Sequence, residues 1–297
     1  MRRAVDPETL LDSRPSVGAA LAVGADALRA AGVDSGAVDA EWLLAAGLRV
    51  PRGTLRTEPD RLLEAPEVGW YVAALRRRMK REPLQHVLGT AAFRDVIVRV
   101  NTDALVPRPE TELLAEWALQ LLPHGVDRPL VIDLGTGSGC IACAIASERP
   151  EVEVIALEVS PRAAALAREN VAALGLSARV AVEVSDLFSA LGTRRADVIV
   201  SNPPYLPTNL IATLAPEVSQ YDPRTALDGG PDGLRVIRRL VAEAPSRLRP
   251  GGVLVLETAG GEQARAVAQL MQAQDLVKIE TRTDMAGVER FVMGRLR

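Results

Sequence analysis

Between residues 16 and 82 the apolar positions recur three and four apart. Leu21, Ala25, Leu28 and Ala31 form one stripe, Val38, Trp42, Leu43 and Ala46 a second, and Leu62, Leu63, Val68, Tyr71, Val72 and Leu75 a third. That is the period of helices with one buried face, punctuated at Pro51, Gly53 and Pro59. A small all-helical domain is predicted over residues 1–84. From Val96 the period drops to two, with Val96, Val98 and Val100 on one face and Ile97 and Arg99 on the other. This is a strand, half of a β-hairpin linker over residues 85–106. Pro107 and Pro109 then force extended backbone before a helix to about Leu122, whose first turn carries Glu110 and Glu112 where acidic groups suit the dipole. Beyond residue 130, strands are predicted at 130–134, 153–158, 179–185, 196–201, 252–257, 276–282 and 289–295. Helices fall between them at 138–148, 161–174, 233–248 and 261–274. The last two strands have no long helix between them and form an antiparallel hairpin. The reading is an α/β domain over 107–297 with a seven-stranded, mostly parallel sheet.

Composition narrows the chemistry. The 297 residues hold 35 Lys and Arg against 38 Asp and Glu, a net charge of −3, and only 3% aromatics. A near-neutral chain short of aromatics is poorly equipped to grip nucleic acid. The only cysteines are Cys140 and Cys143 and the only histidines His86 and His124, so neither a disulfide framework nor a metal-ligand cluster is expected. The start, Met-Arg-Arg-Ala-Val-Asp, turns acidic before an apolar signal-peptide core forms, and no long uncharged apolar stretch follows. A soluble cytoplasmic protein is expected.

Two stretches carry chemistry. In Val131-Ile-Asp-Leu-Gly135-Thr136-Gly137-Ser138-Gly139-Cys140 an apolar strand runs into a glycine turn that opens a helix. Its spacing is G-x-G-x-G, where a dinucleotide fingerprint requires G-x-G-x-x-G. It resembles the first motif of class I S-adenosyl-L-methionine (SAM) methyltransferases, whose ligand has no pyrophosphate. Glu158, nineteen residues past Gly139 at the end of the next strand, is placed to accept the ribose hydroxyls. In such enzymes the position of Asp186 binds the adenine amine, with Leu187 packed near it. Cys140 and Cys143 are formally C-x-x-C, but they sit in an apolar helix and read as small buried side chains.

The second stretch is Ser201-Asn202-Pro203-Pro204-Tyr205, at the carboxyl end of a buried strand. Two prolines stiffen the loop and delete two donors, so it presents acceptors. The Asn202 side-chain oxygen and the Pro203 carbonyl hold both N–H bonds of a planar amide or amine, and Tyr205 offers a flat face. This steers a delocalised nitrogen lone pair toward a methyl donor. Adenine's exocyclic amine and a glutamine amide both satisfy that description.

The ordered set Glu82-Pro-Leu-Gln85, Val106-Pro-Arg-Pro-Glu-Thr-Glu112, Asp133 to Gly139, Ser201 to Tyr205 and Glu289-Arg-Phe-Val-Met-Gly-Arg295 resembles the PrmC/HemK family of peptide chain release factor glutamine methyltransferases along nearly the whole chain. The resemblance implies a Rossmann-like SAM-methyltransferase sheet behind a helical substrate-docking domain. It implies methyl transfer to the glutamine nitrogen of the Gly-Gly-Gln motif in class-1 release factors; adenine methylation on DNA or RNA is the alternative. Asn202, Pro203 and Tyr205 would be catalytic, and Asn202, Pro203, Pro204 and Tyr205 would grip the glutamine. Gly135, Thr136, Gly137, Ser138, Gly139, Glu158, Asp186, Leu187 and Asn202 would bind SAM, without a metal. Leu187 stands where many relatives carry a large aromatic, and Glu158 where Asp is frequent. A monomer without stable nucleic acid or membrane association is implied. The run Arg76 to Arg81, five cations in six residues, reads as a solvated helix end, with docking onto an acidic release-factor surface as its functional reading.

Overall fold

The computed structural model describes residues 6–297; the reading of Met1 to Val5 as the opening of a chain without a signal peptide lies outside the described residues. Two compact units form. One holds the residues through Gly89 together with Ala215–Tyr221; the other holds Thr90–Leu214 and Asp222–Arg297.

The first unit is helical: α1 (Val17–Ala30), α2 (Gly36–Leu48), α3 (Ala65–Met79) and α4 (Leu84–Leu88), with a single turn at Thr54–Thr57. The first and third predicted stripes supply much of its core, in which Leu28, Leu63, Tyr71 and Leu75 are fully buried; of the second only Leu43 is buried, with Ala40 and Leu44 beside it, while Val38, Trp42 and Ala46, and Leu62 of the third, are exposed. Ser16 caps α1 by accepting from the Ala19 N–H, and Glu64 and Glu67 form a capping box on α3. Gly24 lets α1 approach α3, since a Cβ there would lie 2.0 Å from the Tyr71 hydroxyl.

The basic run departs from its reading as a solvated helix end. Arg78 is buried and donates to Asp39 at 2.7 Å and to Glu217 at 2.9 Å. Arg81 grips both Glu217 oxygens, at 2.6 and 2.7 Å, while Arg77 pairs with Glu82 and Arg76 with Glu8. Tyr221 donates to the Lys80 carbonyl at 2.9 Å. Most of these cations therefore clasp the returning segment, whose short helix spans Pro216–Ser219, or their own unit. Spacing could not show the contacts of Arg78 and Arg81 with Glu217, because that acid lies more than a hundred residues downstream.

Burial raises the Glu217 carboxyl, but hydrogen bonds from Arg81 and Arg78 outweigh it and draw the pKa to about 2. Its contribution to stability is thus complete above the usual value of 4.5 and fades as the pH falls toward 2. Glu217→Ala is expected to cost about 1–3 kcal/mol at pH 7, with the gap to wild type narrowing below pH 4.5. Urea unfolding of both proteins across that range reads the difference. A gap that does not change with pH would contradict this account of the clasp.

In the second unit, β1 (Thr90–Phe93) and β2 (Val96–Arg99) make an antiparallel hairpin. Then come α5 (Pro109–Gln120), β3 (Leu130–Leu134), α6 (Cys140–Glu148), β4 (Glu153–Glu158), α7 (Pro161–Ala173), β5 (Val180–Val184) and β6 (Ala196–Ser201). After a short helix at Arg224–Leu227 follow α8 (Arg235–Glu243), β7 (Leu248–Glu257), α9 (Glu262–Ala273), β8 (Leu276–Thr283) and β9 (Glu289–Leu296). The seven-stranded sheet has the order β5-β4-β3-β6-β7-β9-β8; its first five strands are parallel, and β9 runs antiparallel to both its neighbours, β7 and β8. This is the predicted α/β class. Val131, Val154, Val198, Val200, Val253 and Val255 pack with the hairpin, α5 and α6. The intervening Ile132, Leu134, Ile155, Leu157, Ile199, Leu254 and Leu256 pack with α8 and α9. Helices cover both faces, so the strands read as continuous apolar runs. Helix α8 stops at Glu243, short of the predicted 248, and Ala244–Arg247 tightens into a 3₁₀ turn behind Pro245, which cannot continue an α-helix. Among the described residues no helix is long and apolar enough to cross a membrane.

Candidate active site

The chain leaves β3 toward β4 on one side of it, while β6 lies on the other. Such a reversal opens a crevice at the carboxyl ends of the strands, and a cavity of about 630 Å³ lies there, entirely within the sheet unit.

The glycine turn forms one wall. Gly135, Gly137 and Gly139 have φ of +71°, +57° and +81°, a region only glycine enters freely. Gly135 is exposed, and a Cβ on it would meet nothing within 4 Å, so its backbone faces open space. Gly139 instead faces inward: a Cβ would come 3.2 Å from that of Ala167, which sets how closely α6 packs on α7. The turn is braced from below. Asp133 accepts from the Thr136 hydroxyl at 2.5 Å and the Ala142 N–H at 3.1 Å, and its burial outweighs both, raising its pKa to about 7. Asn170 on α7 donates to the Ser138 carbonyl at 2.8 Å and bonds the Arg99 backbone in both directions, a buried staple that no motif announced.

Glu158 accepts from Gly137 N–H and Ser160 N–H, both at 2.9 Å, and lines the cavity. Each oxygen keeps a further lone pair for a hydroxyl. Asp186 is mostly exposed and pairs with Arg239 at 3.0 Å. Leu187 is buried with φ +47°. A bulky residue in that region is held by its surroundings; here Ser185 donates to its carbonyl at 2.7 Å. Cys140 and Cys143 are free and buried, and burial pushes both thiols up to about 12, which keeps them inert. Among the described residues no group of His, Cys, Asp or Glu is arranged to hold a metal.

The Asn-Pro-Pro-Tyr loop closes the cavity. Asn202, Pro203 and Pro204 line it together with Gly135 to Ser138, Glu158, Asp186 and Leu187. Tyr205 and Gly139 do not: the half-buried Tyr205 ring packs against the core and its hydroxyl bonds Glu257 at 3.2 Å. Asn202 donates through Nδ2 to the Thr111 hydroxyl at 2.9 Å, and Thr111 donates to Glu257 at 2.8 Å. Arg108 reaches the buried Asp222 at 2.6 Å, fixing the segment that delivers Thr111. In the sequence, Pro-Arg-Pro-Glu-Thr-Glu reads as a helix start, and nothing in it marks Thr111, Glu257, Arg108 and Asp222 as parts of one scaffold. No spacing could join residues so far apart.

A glycine turn, an acidic residue after the next strand and an Asn-Pro-Pro-Tyr loop on this sheet define a class I methyltransferase. The Methyltransferase small domain family matches residues 111–214, and the PrmC N-terminal domain family matches residues 19–89. The release factor glutamine methyltransferase of Caulobacter vibrioides is 39% identical over 91% of this chain and 92% of its own. That of Geobacter sulfurreducens is 42% identical over 89% and 91%. A crystal structure of the human Mettl16 catalytic domain with an RNA hairpin superposes with a TM-score of 0.55 at 17% identity, over 80% of this chain and 84% of that one, a likeness of fold. This chain belongs to the release factor glutamine methyltransferases.

Proposed function

We propose that the protein transfers a methyl group from SAM to the side-chain amide nitrogen of the glutamine in the Gly-Gly-Gln motif of class-1 peptide chain release factors. The observation that carries this reading is one cavity lined by both the glycine turn and Asn-Pro-Pro-Tyr, in a chain that matches release factor glutamine methyltransferases over about nine-tenths of its length. The tetrapeptide left adenine and glutamine open, and family membership favours glutamine.

The cavity residues fit SAM. Gly135 gives room for backbone approach, Glu158 offers carboxylate oxygens for a ribose diol, and Asp186 an acceptor for an adenine amine once Arg239 yields. Leu187, apolar and held at the cavity wall, suits contact with the adenine edge. Bound there, SAM supplies a methyl on a sulfonium, electrophilic enough to need no metal. The chain's part is orientation. Asn202 Oδ1 and the Pro203 carbonyl accept the two N–H bonds of the glutamine amide and turn its nitrogen lone pair toward the donor. Pro204 stiffens the loop, and Tyr205 anchors it from behind through Glu257. Neither acceptor takes a proton permanently; the proton displaced by methylation leaves to solvent after transfer.

Docking of the release factor body falls to the N-terminal helical domain. Its α2 exposes Val38 and Trp42 four residues apart, with the Arg52 guanidinium 5.0 Å from the Trp42 ring, an amphipathic face suited to a protein partner. The enzyme acts as a cytoplasmic monomer, without stable nucleic acid.

Tritiated methyl transfer from SAM to purified release factor tests the reading. Label is expected on the wild-type factor and absent when its loop glutamine is replaced by alanine. Label persisting on that variant, or appearing on DNA or rRNA instead, overturns it.

A further inference from the structure

We propose that Glu257 and Thr111 are positioning residues that decide which end of the Asn202 amide faces the cavity. Glu257 ends β7, 1% exposed, behind the loop that carries Asn202. A carboxylate has only acceptors. Both of its oxygens are used, one by the Thr111 hydroxyl at 2.8 Å and the other by the Tyr205 hydroxyl at 3.2 Å. A threonine hydroxyl has one proton. With that proton committed to Glu257, the Thr111 oxygen can only accept from Asn202, and so it selects Nδ2, at 2.9 Å. The end left for the cavity is then the oxygen, the acceptor that a substrate N–H requires. The direction of every bond in the relay follows from the charge on one buried carboxylate.

Protonation removes that constraint. A neutral Glu257 donates to the Thr111 oxygen, the Thr111 proton is released toward Asn202, and the amide turns over to offer Oδ1 to Thr111. Nδ2 would then point its N–H bonds at those of the substrate. The groups facing Glu257 are Glu110 and Thr111 on α5, Tyr205 on the loop, and Arg290 on β9, itself held by Asp284. Burial raises the Glu257 carboxyl to about 7 and Glu110 adds to the rise, while Thr111, Tyr205 and Arg290 oppose it. The turnover of the amide thus falls in an ordinary pH range. The inference rests on the proposed function only for the identity of the substrate; the polarity of the relay stands without it.

Two measurements test it. In the first, the side-chain ¹⁵NH₂ signals of Asn202, assigned by their loss in Asn202→Ala, are followed with pH. One transition near pH 7 is expected in the wild type, none in Glu257→Gln, and displaced signals at every pH in Thr111→Val. A wild-type signal that does not titrate, or one that titrates unchanged in Glu257→Gln, overturns the proposal. In the second, Thr111→Val is expected to lower kcat about 10- to 100-fold with the SAM dissociation constant unchanged, and Thr111→Ser, which keeps the hydroxyl, to recover most of it. Glu257→Gln is expected to lose the acid limb of the wild-type kcat profile. An active wild type whose kcat survives Thr111→Val sinks the positioning role. A wild type that leaves the release factor unlabelled while its Asn202 signal titrates as expected sinks the substrate reading alone.

Discussion

Asn202→Ala is expected to abolish measurable methyl transfer, lowering kcat by about 10²–10³-fold or more, while SAM binding stays close to that of the wild type. The asymmetry follows from where the side chain sits. Apart from Asn202, the contacts proposed for SAM come from the glycine turn, Glu158, Asp186 and Leu187; Asp133 and Asn170 brace the turn, the Ser160 N–H braces Glu158 and Arg239 pairs with Asp186, none of them through Asn202. Asn202 is held on the other side, through Thr111 and Glu257. Removing its amide deletes one of two acceptors for a nitrogen whose lone pair is delocalised, and that loss is felt in the transition state. Calorimetric titration with SAM and single-turnover methylation of release factor separate the two quantities. A variant that loses SAM affinity in proportion to kcat would make cofactor binding, and not orientation of the substrate amide, the main work of Asn202.

Gly233→Ala, outside the cavity lining, is expected to damage both stability and turnover. Gly233 has φ +76°, and a Cβ on it would lie 2.3 Å from the Tyr205 carbonyl oxygen and 2.7 Å from Gln263 Nε2. The first of these is backbone, so the loop itself must move. The Gln263 bond to the same carbonyl, 2.9 Å long, goes with it. The left-handed backbone alone costs about 1–2 kcal/mol, and the displaced loop brings the expected total to roughly 2–4 kcal/mol. Because Tyr205 follows Pro204 directly, a shift of about an ångström carries to the acceptors at Pro203 and Asn202 and lowers kcat by up to about 10²-fold. Gly287→Ala is the control, with φ +78° and nothing within 4 Å of its Cβ, so it carries the backbone cost without the collision. Thermal melts and kinetics on both variants make the comparison. Equal losses of stability and unchanged kcat in the two would remove the steric argument.

Much of the fold could be read from the chain. The seven predicted strands match the observed ones to within a residue or two, except that β7 begins four residues early at Leu248. The glycine turn and the Asn-Pro-Pro-Tyr loop were equally visible, since local backbone geometry demands glycine and proline at fixed positions. The basic run was not legible. Arg78 on a helix surface looks the same in sequence whether it meets water or Glu217, and only the returning segment decides. Tyr205 shows the same limit. Its neighbours in sequence suggest a flat face toward substrate, and nothing in them announces that its half-buried ring packs against the core or that its hydroxyl bonds Glu257.

By itself the sequence determined what short-range physics controls: helical and strand periods, the turn glycines, the rigid acceptor loop and the family these motifs belong to. Tertiary structure alone decided how the amide in that loop is oriented. Asn202, Thr111 and Glu257 lie far apart along the chain and on three different elements, and the relay among them exists only once the sheet brings the end of β7 beneath the start of α5. Hydrogen-bond direction depends on which donor meets which acceptor in space, and no spacing along a chain encodes that.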